Sequence, residues 1–188
     1  MLLRTITFFA CTSILATAGL AQTEKPMGNM KMDKQPAQPL PSPVAESTVK
    51  LNGHAVKIHY NSPSMRGRKI MGGLVPYGRW WRTGADNATT FQTEADLDIG
   101  GLKVPKGTYT LYTLPGAKEW QLIVNKQTGQ FGTEYDQKRD LGRVKMTVAQ
   151  TPAPVEKFKI ELAALGGNKG LLKMTWERTE VSVPITVL

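Results

Sequence analysis

The segment VKLNGHAVKIHY, residues 49–60, decides the fold class. Val49 and Leu51 alternate with polar neighbours, Asn52-Gly53 follows, and Val56, Ile58 and Tyr60 alternate again. A period of two gives each arm one apolar face, and an Asn-Gly pair tolerates the positive φ that a two-residue hairpin turn demands. The segment therefore predicts a β-hairpin.

The same grammar continues downstream. Short apolar-alternating runs at 89–93, 97–99, 108–114 and 120–124 are separated by turn residues such as Gly100-Gly101 and Pro115-Gly116. Val144, Met146 and Val148 alternate, as do Phe158, Ile160 and Leu162, then Leu172, Met174 and Trp176, and finally Val181, Val183 and Ile185. Gly166-Gly167-Asn168 closes another hairpin, and Pro184 places its strand at an edge or at a break in the ladder, because proline has no N–H to donate. No segment carries the 3.6-residue period of a long helix. The expectation is an all-β domain, an antiparallel β-sandwich or jelly-roll-like barrel of about nine short strands, with Trp120 and Trp176 facing inward.

The N-terminus reads differently. Residues 1–21 carry one charge, Arg4, then an apolar stretch interrupted by threonines, then Gly19-Leu20-Ala21. That is the layout of a signal peptide cleaved between Ala21 and Gln22, too dilute in apolar residues for a membrane span. The expected address is exported, periplasmic or extracellular, with no transmembrane segment after cleavage. Residues 22–45 hold five prolines and no apolar period, which predicts a disordered or extended tether. A single domain over 46–188 remains, 188 − 45 = 143 residues, enough for one core. Cys11 is the only cysteine and lies in the leader, so the exported chain has no disulfide, zinc-thiolate site or cysteine nucleophile. Losing Arg4 takes the formal charge from +9 to +8, which suits anionic partners or simply keeps the protein soluble. No nucleic-acid module is recognisable.

Several familiar chemistries lack their residues. The only histidines, His54 and His59, are five apart on one expected strand and so on opposite faces, which argues against a shared ion. There is no G-x-S-x-G, and Ser62 and Ser64 have no evident base. Glu94, Asp96 and Asp98 alternate as a polar strand face does, although a carboxylate row can also hold calcium. Met27, Met30 and Met32 in the tether offer soft thioether ligands of the kind Cu(I) prefers; no organic cofactor is implied.

The densest chemistry lies in residues 66–91, RGRKIMGGLVPYGRWWRTGADNATTF. Arg66, Arg68 and Arg82, with Arg79, supply planar donors to carboxylate, phosphate or sulfate. Asn87 and Thr89 add neutral donors, and Tyr77, Trp80 and Trp81 offer flat rings on which a sugar can stack. Read one way this is a ligand site for an acidic or carbohydrate small molecule or an envelope polymer. Read the other way it is a structural latch, in which the arginines satisfy loop carbonyls and Trp81 plugs the core.

The stretch from Tyr60 to Phe91, with KVPKGTYTLYTLPG (103–116), EWQLIVNK (119–126) and WERTEVSVPI (176–185), resembles a bacterial family of exported proteins catalogued as domain of unknown function 2911. The resemblance spans nearly all of 46–188, its most specific part being GGLVPYG with WRTGA. It implies a domain and no mechanism. The chain departs from the pattern at Trp80, where an aliphatic residue is expected, and at Phe131-Gly132, where Trp-Gly is expected. Three functions follow from the residues: a non-catalytic envelope module binding its ligand through the arginine-aromatic loop; an enzyme using arginine with Asp86, Asp136 or Asp140; or copper binding by the methionine tether.

Overall fold

A computed structural model describes residues 42–188. The expected leader and residues 22–41 of the expected 22–45 tether, with Met27, Met30 and Met32, lie outside the described residues; the end of that tether, Val44 and Ala45, is already strand. Within them no helix is long and apolar enough to cross a membrane.

Among the described residues nine strands run in chain order: β1 (Val44–Leu51), β2 (His54–Asn61), β3 (Thr89–Thr93), β4 (Leu97–Ile99), β5 (Leu102–Val104), β6 (Gly107–Leu114), β7 (Trp120–Asn125), β8 (Asp140–Gly166) and β9 (Lys169–Val187). A 3-10 turn at Gln137–Arg139 precedes β8. The strands form one open antiparallel sheet in the order β1-β2-β3-β6-β7-β8-β9-β4-β5. The expected hairpin joins β1 to β2, with Leu51 opposite His54 and both turn residues left-handed, Asn52 at φ 48° and Gly53 at 83°. Gly100 and Gly101 (φ 56° and 94°) turn β4 into β5, a short strand that the sequence pattern does not announce.

Not every strand is short, and this corrects the expectation. Val144–Val148 and Phe158–Leu162 belong to one 27-residue strand, and the two apolar runs after Gly170 belong to the 19-residue β9. The breaks seen in the sequence are bends. Pro152 and Pro154 cannot donate to the ladder, and the β8–β9 register slips between Gln150 and Val155 and again between Val155 and Lys159. Opposite this point, β9 kinks at Glu177, whose φ is +53°. Pro184 lies past the last β8 partner, Ser182, so its missing N–H costs no hydrogen bond to β8, and its carbonyl accepts from Gly100.

The bend carries the second half of β8 back over β1 and β2. There the Ile160 N–H donates to Tyr60 Oη (2.9 Å), Leu162 N–H to Ser47 Oγ (2.8 Å) and Ser62 Oγ to the Phe158 carbonyl (2.6 Å). The core fills the space so enclosed. Leu51, Ile58, Phe91, Leu111, Leu122 and Val124 meet Phe158, Leu172, Met174, Trp176 and Ile185, all essentially solvent-free. Trp120 and Trp176 both face inward, as their register predicts.

Candidate functional site

The arginine-rich run is the long connection from β2 to β3, and most of it is fastened down. Glu156 on β8 holds its start: one carboxylate oxygen accepts from Arg66 N–H (2.9 Å), while the carbonyl accepts from Met65 N–H (2.8 Å) and from the Trp176 indole (3.1 Å). At the β9 kink, the two carboxylate oxygens of Glu177 accept from Ile70 N–H (3.3 Å) and Met71 N–H (3.1 Å). Arg68 turns on its own loop, donating from Nε to the Met65 carbonyl and from Nη2 to the Ser64 carbonyl. Gly73 is required here, because a Cβ would sit 2.5 Å from the Lys69 carbonyl oxygen.

The end of the run behaves as a stub of strand. Trp81 and Thr113 exchange both backbone hydrogen bonds (2.7 and 2.9 Å), extending the sheet beside β6 where β3 has stopped. Strand alternation then sends the paired tryptophans to opposite faces. Trp81 enters the core, stacked on Trp176 (centroids 5.8 Å, 20°) and edge-on to Phe158 (5.0 Å). Trp80 goes outward, meeting Tyr112 edge-on (5.6 Å) and Tyr135 at 4.9 Å. Thr83 pays for the exit from this stub with a left-handed φ of 56°, unusual for a β-branched residue. The buried Thr83 is held there by Thr89 Oγ1 donating to its carbonyl (2.7 Å) and by the Thr113 hydroxyl (3.2 Å).

On that outer face, Tyr112, Ile123 and Arg143 lie side by side across β6, β7 and β8. Tyr112 and Ile123 are fully buried, yet they belong to the face turned away from Leu111, Leu122 and Val124. The segment 126–139 crosses this face and, with Trp80, covers Tyr112. Tyr112 Oη donates to the Glu134 carbonyl (2.6 Å), Thr110 Oγ1 to the Gln127 carbonyl (2.7 Å) and Asn125 Nδ2 to the Asp136 carbonyl (2.9 Å). Between this segment and the residues around Trp80 opens a cleft of about 540 Å³, lined by Pro76, Gly78, Arg79, Trp80, Leu114, Ile123, Tyr135, Gln137 and Arg143.

Asp140 organises one wall. Its Oδ1 accepts from Asn125 Nδ2 (2.9 Å), and its Oδ2 accepts from Tyr135 Oη (2.8 Å) and from Arg143 Nε and Nη2 (3.0 and 2.9 Å). Arg143 Nη2 also donates to Tyr135 Oη (2.8 Å), closing a three-membered network. Burial, with the hydrogen bond and charge of Asp140 behind it, pushes the Tyr135 hydroxyl up to about 12, so it stays neutral. These bonds use the Nε side of the Arg143 guanidinium; Nη1 is engaged by no described residue. Arg79, exposed at the opposite wall, makes no hydrogen bond or ion pair with the described residues.

Of the residues the sequence singles out, Arg79 and Trp80 line this cleft. Arg66 and Arg68 are exposed at the Glu156 anchor, Trp81 is core, and Thr89 is buried beneath Thr83. Tyr77 is exposed on the loop, its ring 3.0 Å from where a Gly72 Cβ would be. Arg82 lies across Gly132, where a Cβ would come within 2.5 Å of its Cδ, and its buried Nε has no hydrogen-bond partner among the described residues. Asn87 pairs through its backbone with Phe131. Sequence reasoning passes over Tyr135, Gln137 and Arg143, which enter from 130–143. The clue available was the pair of adjacent tryptophans, one of which must point outward if the segment is extended.

The other candidates resolve into structure. The Ser62 hydroxyl is spent on the Phe158 carbonyl. Glu94, Asp96 and Asp98 do not share one strand; they accept from the backbones of Ala55, Lys106 and Gly101 respectively. No group of three metal-capable side chains occurs among the described residues. His59 lines a polar hollow of about 320 Å³ on the open part of the outer face with Glu46, Lys57, Thr90 and Gln92.

The fold and cleft define an all-antiparallel-β domain with an arginine- and aromatic-walled pocket on the outer face of its sheet. The chain belongs to the family described as Protein of unknown function (DUF2911), matched over residues 42–185. No curated protein matches it. No solved structure does either.

Proposed function

We propose that the protein is an exported, non-catalytic module of the cell envelope that binds an acidic or carbohydrate ligand, and that the ligand occupies the cleft between Trp80 and Arg143. The observation that carries this reading is the wall built by Asp140. A guanidinium held by a largely buried carboxylate and a neutral tyrosine is oriented before any ligand arrives, which lowers the entropic cost of binding. The volume lies within the roughly 300–1,000 Å³ of small-molecule sites. Export rests on the signal-like leader alone.

The enzyme alternative draws less support. Asp136 caps the 3-10 turn by accepting from Lys138 N–H, Asp86 is exposed, and Asp140 is saturated by donors, so none of the three is placed as a general acid or base in the cleft. The test is a thermal-shift and calorimetric screen of anionic and neutral saccharides against the wild type and Arg79→Ala. Arg79 is exposed and unpaired among the described residues, so its removal leaves the fold intact. Saturable binding that Arg79→Ala weakens is expected; binding indifferent to Arg79, or none, sinks the reading.

A further inference from the structure

We infer that the ligand of this cleft is a ring bearing a single carboxylate, a hexuronic acid unit, in preference to a neutral sugar or a phosphate. The inference rests on the binding reading above and narrows it. Charge sets the count. Arg143 is already balanced by Asp140, while among the described residues Arg79 has no acidic partner and no carboxylate lines the cleft. One unbalanced cation matches one carboxylate. A doubly charged phosphate would need a second cation, which Asp140 has neutralised.

Shape and polarity set the rest. Trp80 keeps 37% of its surface exposed and lines the cleft together with Leu114, so one side of the ligand meets an apolar surface. The C–H face of a pyranose fits an indole in that way, whereas phosphate offers nothing to it. Arg143 Nη1 and the Gln137 amide remain to meet ring hydroxyls. A guanidinium such as Arg79 takes a carboxylate in a two-bond fork.

The discriminating experiment titrates the full chain calorimetrically with trigalacturonate, its methyl ester and inorganic phosphate, each also with Arg79→Ala. Trigalacturonate should bind at least tenfold more tightly than the ester, which has the same rings without the charge. Arg79→Ala should bring trigalacturonate down to the affinity of the ester, and phosphate should show no saturable binding. If the ester binds as well as the acid, the carboxylate inference fails while the cleft remains a carbohydrate site. Phosphate binding as tightly as trigalacturonate, and lost in Arg79→Ala, makes the cleft a plain anion site and overturns the inference alone. If none of the three binds, both readings fall.

Discussion

Asp140→Asn is the substitution that most directly tests how the cleft wall is built. The carboxylate accepts four hydrogen bonds, three of them at Oδ2 from Tyr135 and Arg143. An asparagine can keep its oxygen toward Asn125 only by presenting an NH₂ to Tyr135 Oη and to the guanidinium, so donors then face donors. Hydrogen bonds to charged groups contribute about 1.5–3 kcal/mol each when buried. The Arg143 side chain is 31% exposed and recovers part of its solvation, so the sum must be discounted well below three full bonds. About 2–4 kcal/mol is the expected loss, roughly 5–15 °C in Tm for a domain of this size. Urea denaturation followed by circular dichroism reads it, with Tyr135→Phe as a control that removes one hydroxyl and should cost about 1 kcal/mol. The double variant should be no worse than Asp140→Asn by more than a few tenths of a kcal/mol, because the two share one network. A loss below about 0.5 kcal/mol for Asp140→Asn would refute the reasoning and reduce the network to a solvated surface pair.

Trp176→Ala should destabilise the domain by about 3–5 kcal/mol, since it empties the position beneath Trp81 and Phe158 and leaves the Glu156 carbonyl short of a donor; a near-neutral result in chemical denaturation would contradict the packing. Gly132→Ala places a methyl 2.5 Å from Arg82 Cδ and 2.6 Å from the Asp86 carbonyl oxygen, so a loss of roughly 1–3 kcal/mol is expected, and an unchanged Tm would mean the Arg82 layer is loose. The Tyr135 hydroxyl has a folded pKa raised from 10.0 to about 12, so the stability it contributes is intact below pH 10 and disappears as pH rises toward 12. Denaturation between pH 9 and 12 should show a steeper decline for the wild type than for Tyr135→Phe; parallel curves would remove Tyr135 as the cause.

Much of the fold was legible because period-two alternation and turn chemistry are local. Leu51-Asn52-Gly53-His54 dictates its own hairpin, and the inward faces of Trp120 and Trp176 follow from strand parity alone. The family resemblance too was carried by local motifs such as GGLVPYG and WRTGA. Continuity of β8 and β9 was not legible. Pro152 and Pro154 read as punctuation, and whether proline ends a strand or bends it depends on whether a partner continues opposite, here β9 kinked at Glu177. The site divided in the same way. Density of arginine and tryptophan marked 66–91, but a guanidinium that satisfies a nearby carbonyl, as Arg68 does, and one that awaits a ligand have the same sequence. Residues far apart in the chain made the difference: Glu156 and Glu177 pin the run, Thr113 sends Trp80 outward, and Asp140 with Tyr135 and Arg143 supplies the facing wall. The sequence by itself determined the alternation, the turns and the β class, since each depends on neighbours a few residues away. Tertiary structure alone decided which arginines are latch and which line the cleft, because that depends on contacts between segments as distant as β2, β6 and β8, which no local pattern encodes.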